Sequence, residues 1–156
     1  MDLLKLDNSF YLENTDLVNA LDCYEDGWDQ KKHRGYGVVV IEINSLKFAI
    51  PLRSNINHSA GYMTISRGRN NRPSKGLDYS KALLIEKSEY ISNEVFKIPD
   101  IEYASISKKE RHIIKGFNKY VSRYILAMKK RDTNILNSKE YRYTTLDNYK
   151  ENLGII

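Results

Sequence analysis

A run of β-branched residues in the first third of the chain constrains the fold most strongly. Residues 36–43 are almost continuously apolar, a pattern typical of a buried central strand. Asn44-Ser45 supplies turn residues and the apolar stretch 46–52 follows at once, so the sequence predicts a hairpin. Pro51 has no backbone N–H to donate. We therefore expect strand pairing on one side to weaken at Pro51 and to release residues 53–58 onto the rim of the sheet.

Apolar periodicity elsewhere predicts the remaining elements. Short strands are expected at residues 3–6, 62–65 and 81–86, with a loop at 66–76 between the last two. A helix is expected from Thr15 to Gly27. The capping-box pattern Ser107-Lys108-Lys109-Glu110 opens one long amphipathic helix at about 107–130. The chain is thus predicted to be a single α+β domain, residues 1–156, with a small curved, mainly antiparallel sheet and surrounding helices.

Charge is sorted along the chain. Residues 1–30 contain eight acidic side chains and one basic one, whereas residues 31–76 contain nine basic side chains and one acidic one. The net charge of the whole chain is +5. So much like charge in one segment favours a polyanionic partner, and nucleic acid fits because each phosphate contact releases condensed counterions. A solvated basic surface is the ordinary alternative for such a run, and the pattern leaves it open.

Several classes of protein do not fit the sequence. The only cysteine, Cys23, has no partner for an internal disulfide, and no apolar run is long enough to span a membrane. With no basic and apolar leader at residue 1, we expect a cytoplasmic protein without a membrane partner. The motifs CxxC, HExxH, GxxxxGK and GxGxxG are missing, and acids are scarce near the basic segment. We therefore expect neither a metal site nor a cofactor.

Metal-free RNA cleavage suits the residues that remain. In that reaction the 2′-OH of the substrate is the nucleophile, and the protein moves protons and stabilises charge on the phosphate. His58 has the right side chain for proton transfer at neutral pH, while Arg34 and Arg53 offer bidentate donors to phosphate oxygens. Ser54 adds a hydroxyl donor. A surface histidine and ordinary turn residues after Pro51 are the alternative interpretation of the same pattern.

The stretch from Arg34 to His58 resembles the core of the ToxN/AbiQ family of endoribonuclease toxins. In that family a hairpin rich in Gly, Ile and Val runs into Ala-Pro-Leu and a hydroxyl-bearing pair. This chain has YGVVVIEI at 36–43 and FAIPLRS at 48–54. Residues 75–85 resemble the next family segment, and residues 134–146 with the opening Phe10-Tyr11-Leu12 are similar to the TenpN branch in particular.

Membership of this family would imply the toxin of a type III toxin–antitoxin system that acts in phage defence. The expected activity is metal-independent cleavage of cellular RNA to 2′,3′-cyclic phosphate and 5′-hydroxyl ends. The expected inhibitor is a small repeated antitoxin RNA, folded as a pseudoknot and able to close a hetero-oligomer with the protein. The resemblance also implies a compact sheet core similar to that of the Kid/MazF toxins.

The family's active residues correspond to this sequence only in part. Ser54 matches the family serine, but Arg53 stands where the family has threonine, and the upstream lysine falls at Arg34. The lysine that follows the hydroxyl pair has no counterpart, and we take His58 as its substitute in proton transfer. Tyr11 matches an N-terminal tyrosine that lines the active groove. The predicted catalytic residues are Arg34, Arg53, Ser54 and His58.

Nine further residues are predicted to bind the RNA of substrate and antitoxin alike. They are Tyr11, Lys31, Lys32, His33, Asn57, Arg67, Arg69, Arg72 and Lys75. A non-catalytic RNA-binding protein using the same cations and tyrosines is the alternative that the sequence leaves open. An enzyme acting on a phosphorylated metabolite is a more distant one, since no motif that cradles a nucleotide is visible.

Overall fold

The structure, a computed structural model, describes residues 1–29, 34–66 and 72–156. Seven strands within these ranges form the main sheet, and the strand pairs found there are antiparallel. The strands of this sheet are β1 (Leu3–Leu6), β4 (Tyr36–Val40), β5 (Lys47–Ile56), β6 (Gly61–Ile65), β7 (Ser74–Asp78), β8 (Leu83–Leu84) and β9 (Ile91–Val95). A separate two-stranded ribbon pairs β2 (Cys23–Tyr24) with β3 (Gly27–Trp28).

Strand β5 organises the sheet because its two halves pair with different neighbours. The first half pairs with β4 in unbroken register, which is the hairpin that the sequence predicts. The second half, from Leu52 onward, pairs with β7, and a bulge or irregularity shifts the register between Arg53 and Ile56. The strand order is β6-β7-β5-β4-β1-β9, with β8 also paired with β5.

Each face of the sheet carries its own apolar core. The helices are α1 (Asn8–Glu13), α2 (Asp100–Lys108), α3 (Glu110–Lys130) and α4 (Thr133–Leu136). On one face Phe117 of α3 packs against Phe48 of β5, with ring centroids 5.3 Å apart. On the other face Phe10 of α1 packs edge to face against Tyr90 at 5.4 Å. Side chains alternate along β5, so Phe48 faces the first core and Ala49 the second.

These elements confirm the predicted α+β class with a mainly antiparallel sheet and helices around it. The long amphipathic helix is also present as α3, which buries Phe117 and Tyr124 against the sheet. Its predicted start is wrong, because Ser107 lies inside α2 and a break at Lys109 separates the two helices. Lys109 provides no side-chain cap, so the capping box does not form.

The helix predicted from Thr15 to Gly27 is also wrong. The described residues there form turns and β2, with Asn19 and Asp22 both at φ of 65°. Leu17 packs against both cores, and the Trp28 Nε1 donates to the Asn14 carbonyl oxygen at 2.7 Å. Tertiary contacts therefore override the helical spacing of the apolar residues.

Pro51 does not end the pairing of β5 as predicted. The register with β4 extends to Tyr36 and Pro51, and the Leu52 N–H still donates to the Gly35 carbonyl oxygen at 2.9 Å. Arg53 and Ile56 still pair with β7, so the prediction that residues 53–58 are released onto the rim is wrong for its first part. The loop predicted up to residue 76 is shorter than expected, because β7 begins at Ser74.

Candidate functional site

Four polar side chains meet at the carboxyl end of β7, and we refer to Arg53, His58, Asp78 and Ser80 as the Asp78 cluster. The Asp78 carboxylate is fully buried, and its Oδ2 accepts from Arg53 Nη1 at 2.9 Å. Its Oδ1 accepts from the Ser80 backbone N–H at 2.9 Å and from the Ser80 hydroxyl at 2.6 Å. His58 Nε2 lies 3.2 Å from the same oxygen. The pairing of β5 with β7 brings these residues together, since it sets Arg53 opposite Gly76.

Hydrogen bonds keep the buried Asp78 carboxyl ionised. Burial alone raises the pKa of this group, because a charge is poorly solvated inside the protein. Hydrogen bonds from His58, Ser80 and Arg53, together with the electrostatic interaction with His58, outweigh burial and leave the pKa of Asp78 below its ordinary value. Asp78 therefore anchors Arg53 as a fixed negative charge.

His58 is turned into the protein. Its side chain is only 4% exposed. Nδ1 accepts the backbone N–H of Ala60 at 3.1 Å, so the neutral ring carries its proton on Nε2. That nitrogen faces Asp78 and lies 3.2 Å from the Ser80 hydroxyl. Both ring nitrogens are thus engaged within the protein, and this geometry favours an orienting role for His58 over proton exchange with a bound substrate.

Among the predicted catalytic residues, Arg53 and Ser54 have the hydrogen-bond donors that are least engaged within the described part of the protein. The Arg53 side chain is 27% exposed and uses Nη1 to bind Asp78, which leaves its other N–H donors without a partner in residues 1–29, 34–66 and 72–156. Ser54 is exposed, and its hydroxyl has no hydrogen-bond partner in the same part of the chain. The register shift of β5 falls between Arg53 and Ile56, in the segment that contains Ser54, and such a shift redirects side chains from strict alternation.

Arg34 lies next to this pair but is held by an acidic partner. Its Nε donates to Asp22 Oδ2 at 2.6 Å and its Nη2 to Asp22 Oδ1 at 3.3 Å. Its Nη1 donates to the backbone oxygen of Leu52 at 2.9 Å, one residue before Arg53. A phosphate can therefore use only the second N–H on each of Nη1 and Nη2. Asp22 was missed in the sequence because it lay in a segment predicted to be helical.

Beside Arg34 lies an open cleft of about 620 Å³, which we refer to as the aromatic cleft. Lys5, Tyr11, Asp26, Trp28, Arg34 and Glu94 are among the residues that line it. The rings of Tyr11 and Trp28 meet edge to face, with centroids 5.1 Å apart. Burial raises the pKa of the Tyr11 hydroxyl, which shares a hydrogen bond with buried Tyr36. Tyr11 therefore lines a cleft next to Arg34.

Lys81 directly follows Ser80 of the Asp78 cluster in the chain. The sequence analysis did not single it out. Its ammonium group donates to the backbone oxygens of Asn19 at 2.9 Å and Tyr143 at 2.7 Å. Burial lowers the pKa of Lys81 and the charge of Arg53 lowers it further, while Asp78 acts in the opposite direction. A lysine of this kind is a candidate for chemistry. No local motif marks it, because its partners are distant in the chain.

The residues predicted to bind RNA differ in their exposure to solvent and in whether their charge is already paired. Arg72 and Asn57 are exposed, as a backbone-binding role requires. Lys75 is partly buried and its ammonium group lies 3.2 Å from the buried carboxylate of Glu102, so much of its charge is already neutralised. The remaining five cationic candidates, Lys31, Lys32, His33, Arg67 and Arg69, lie outside the described residues.

Within the described ranges no group of three or more His, Cys, Asp or Glu side chains is placed to hold a metal ion. None of the helices described is both long and apolar enough to cross a membrane. No family model, curated protein or solved structure matches the chain.

Proposed function

We propose that this protein is a metal-independent endoribonuclease, the toxin of a type III toxin–antitoxin system. The observation that carries the proposal is the Arg53 guanidinium, which is anchored by buried Asp78 and has N–H donors without a partner among the described residues, next in sequence to the exposed Ser54. A guanidinium and a hydroxyl are suitable donors for a phosphate that gains charge in its transition state. The resemblance of residues 34–58 to the ToxN/AbiQ family supports the same assignment, with a Kid/MazF-like sheet core.

The proposed reaction is a transesterification within the RNA. The substrate 2′-oxygen attacks the adjacent phosphorus, the bond from phosphorus to the 5′-oxygen breaks, and a 2′,3′-cyclic phosphate and a 5′-hydroxyl result. The proton lost by the 2′-hydroxyl goes to a base, and an acid protonates the departing 5′-oxygen. Arg53 and Ser54 donate to the non-bridging oxygens, and Arg34 supplies its two remaining N–H groups.

The roles of His58 and Lys81 follow from their contacts. His58 orients Asp78, and Asp78 in turn holds the Arg53 guanidinium, so His58 is a positioning residue. Lys81 has one N–H left after its two bonds to backbone oxygens and interacts electrostatically with Arg53. It is therefore the described residue best suited to protonate the 5′-oxygen.

The same surface around Arg53 and Ser54 would hold the inhibitor. A small repeated antitoxin RNA, folded as a pseudoknot, would place its backbone against Arg53 and Arg72 and exclude cellular RNA. If its repeats bridge several copies of the protein, a closed hetero-oligomer results. This part of the proposal rests on the family resemblance together with the exposed cations.

Incubation of a defined single-stranded RNA with purified protein in excess EDTA tests the proposal. We expect fragments with cyclic-phosphate ends from the wild type. Removing one donor to a developing phosphate charge costs on the order of 10²–10³-fold in rate, so Ser54→Ala and Arg53→Gln should both be slowed by this factor. Ser122→Ala on the exposed face of α3 is the matched control and should cleave as the wild type does. Cleavage unaffected by both site variants would sink the proposal.

A non-catalytic RNA-binding protein is the second candidate, and the engagement of both His58 nitrogens favours it. Such a protein would bind the RNA in EDTA and leave it intact. Expression in a host cell separates the two candidates further. A nuclease toxin should arrest growth, and Ser54→Ala should abolish the arrest without changing the amount of folded protein.

A further inference from the structure

The aromatic cleft has the surroundings of a nucleobase pocket. Tyr11 and Trp28 line a cleft of about 620 Å³, which is large enough for a base with its ribose. Unpaired bases stack on such rings in proteins that bind single-stranded RNA. We propose that the aromatic cleft binds one unpaired base of the RNA, the one beside the phosphate held at Arg53. This inference rests on the proposed function and adds to it a pocket that recognises one base of the RNA substrate.

Charge argues that the occupant is a base rather than a phosphate. Among the described residues, the charged side chains of the lining include Asp26 and Glu94 and the cations Lys5 and Arg34. Each of these cations already faces a carboxylate: Lys5 Nζ lies 3.2 Å from Glu94 Oε1, and Arg34 binds Asp22. Among the described residues, a charged phosphate inside the cleft would therefore meet cations that are already paired with carboxylates. A neutral ring with amino and carbonyl groups can instead hydrogen-bond to both kinds of side chain.

Arg34 connects the aromatic cleft to the strand that carries the proposed reaction site. Arg34 lines the cleft and donates to the backbone oxygen of Leu52 at 2.9 Å. Leu52 directly precedes Arg53 on β5. A base stacked on Trp28 therefore has its own phosphate near Arg34 and the next one toward Arg53. The cleft would thereby select which phosphodiester bond is cleaved.

Trp28 is the only tryptophan of the chain, so its fluorescence reports on the cleft directly. The probes are the four nucleoside 5′-monophosphates, with ribose 5-phosphate as the control that lacks a base. We expect saturable quenching by at least one nucleotide and none by ribose 5-phosphate. No saturable quenching by any of the four, or equal quenching by ribose 5-phosphate, would overturn the inference.

A pair of variants extends the test to RNA. Trp28→Leu should weaken binding of a short single-stranded RNA roughly 10-fold, because it removes a stacking surface. Tyr103→Leu, which alters an exposed tyrosine on α2, is the matched control and should bind as the wild type does. Circular dichroism establishes that both variants are folded, and equal loss in both would contradict the inference.

The two proposals can fail separately. Saturable quenching by nucleotides without any cleavage of RNA would leave the base pocket in place and remove the nuclease. Cleavage of RNA in EDTA, with an unchanged cleavage pattern in Trp28→Leu and no quenching, would leave the nuclease and remove the pocket.

Discussion

Asp78 connects the strands, the turn and the proposed phosphate site. It is fully buried, yet it accepts hydrogen bonds from Arg53, Ser80 and His58. A buried charge is tolerated only when it is paired and fully hydrogen-bonded. Removing the charge at Asp78 should therefore affect both stability and the orientation of Arg53.

Asp78→Asn should lower the free energy of unfolding by about 3 kcal/mol, because an amide cannot accept all of these donors and the Arg53 charge loses its partner. Asp16→Asn, an exposed position, is the control and should change the free energy by less than about 0.5 kcal/mol. Urea denaturation followed by circular dichroism measures both. Equal stability of the two variants would show that the cluster does not stabilise the fold.

The same variant makes a prediction about pH. Because the pKa of folded Asp78 lies below the ordinary value of 3.8, ionised Asp78 stabilises the protein fully at pH values well above 3.8. This stabilisation is lost as the pH falls below 3.8 and through the lowered pKa of the folded state. The stability difference between wild type and Asp78→Asn should consequently shrink in acid, and a difference that stays constant with pH would contradict this.

At the scale of elements, the turn at Tyr79–Lys81 couples α3 to the site. The Tyr79 hydroxyl donates to the Ile113 carbonyl oxygen on α3 at 2.9 Å. Gly116 makes this approach possible, since a Cβ there would lie 2.6 Å from the Tyr79 hydroxyl oxygen. The turn also carries Ser80 and Lys81, so the helix holds the residues around Asp78 through Tyr79.

Gly116→Ala should therefore destabilise the protein although alanine is the better helix former. Overpacking costs about 1–3 kcal/mol, whereas the gain in helix propensity is at most about 1 kcal/mol. Tyr79→Phe removes the clashing oxygen, and the nearest remaining ring atoms lie 3.3 Å from the added Cβ. The double variant should thus be less destabilised than the sum of the two single variants, as measured in a double-mutant cycle. Strict additivity would show that the clash is relieved elsewhere.

The elements that could be predicted from the sequence are those whose pattern is satisfied locally. The hairpin of β4 and β5 forms as predicted, because its β-branched residues favour a strand and its turn residues follow directly. The helix after Thr15 does not form, since Leu17 and Trp28 are held by contacts with distant residues. Periodicity alone carries no information about such contacts.

The sequence indicates some residues of the candidate site but not how they are arranged. Arg53, Ser54 and His58 are conspicuous as polar residues after an apolar strand, and the resemblance directs attention to them. Asp78 and Lys81 are not conspicuous, because their relation to Arg53 arises only when β7 pairs with β5. The burial of His58 likewise depends on contacts with Ala60 and Asp78 that no spacing rule reveals.

At the scale of the whole molecule, ion pairs within the fold neutralise part of the charge that is sorted along the sequence. The bridge between Asp22 of the acidic segment and Arg34 of the basic segment joins the two oppositely charged regions. Lys75 and Arg53 are also paired, with Glu102 and Asp78. The positive charge that a polyanion can use is therefore smaller than the sequence count suggests, and among the described residues exposed cations such as Arg72 remain available for it.

RNA affinity should consequently depend on salt with a moderate slope. If about four phosphates are neutralised, binding of single-stranded RNA should weaken roughly 50-fold between about 50 and about 200 mM salt. Arg72→Gln should make the slope of log affinity against log salt shallower by about 0.7, because one phosphate contact is lost. Lys129→Gln, an exposed lysine near the end of α3, is the matched control and should leave the slope unchanged. Fluorescence anisotropy with a labelled single-stranded RNA measures all three proteins. An affinity that is flat across this range would mean that the basic segment does not bind phosphates, and the RNA-based proposals would lose their electrostatic support.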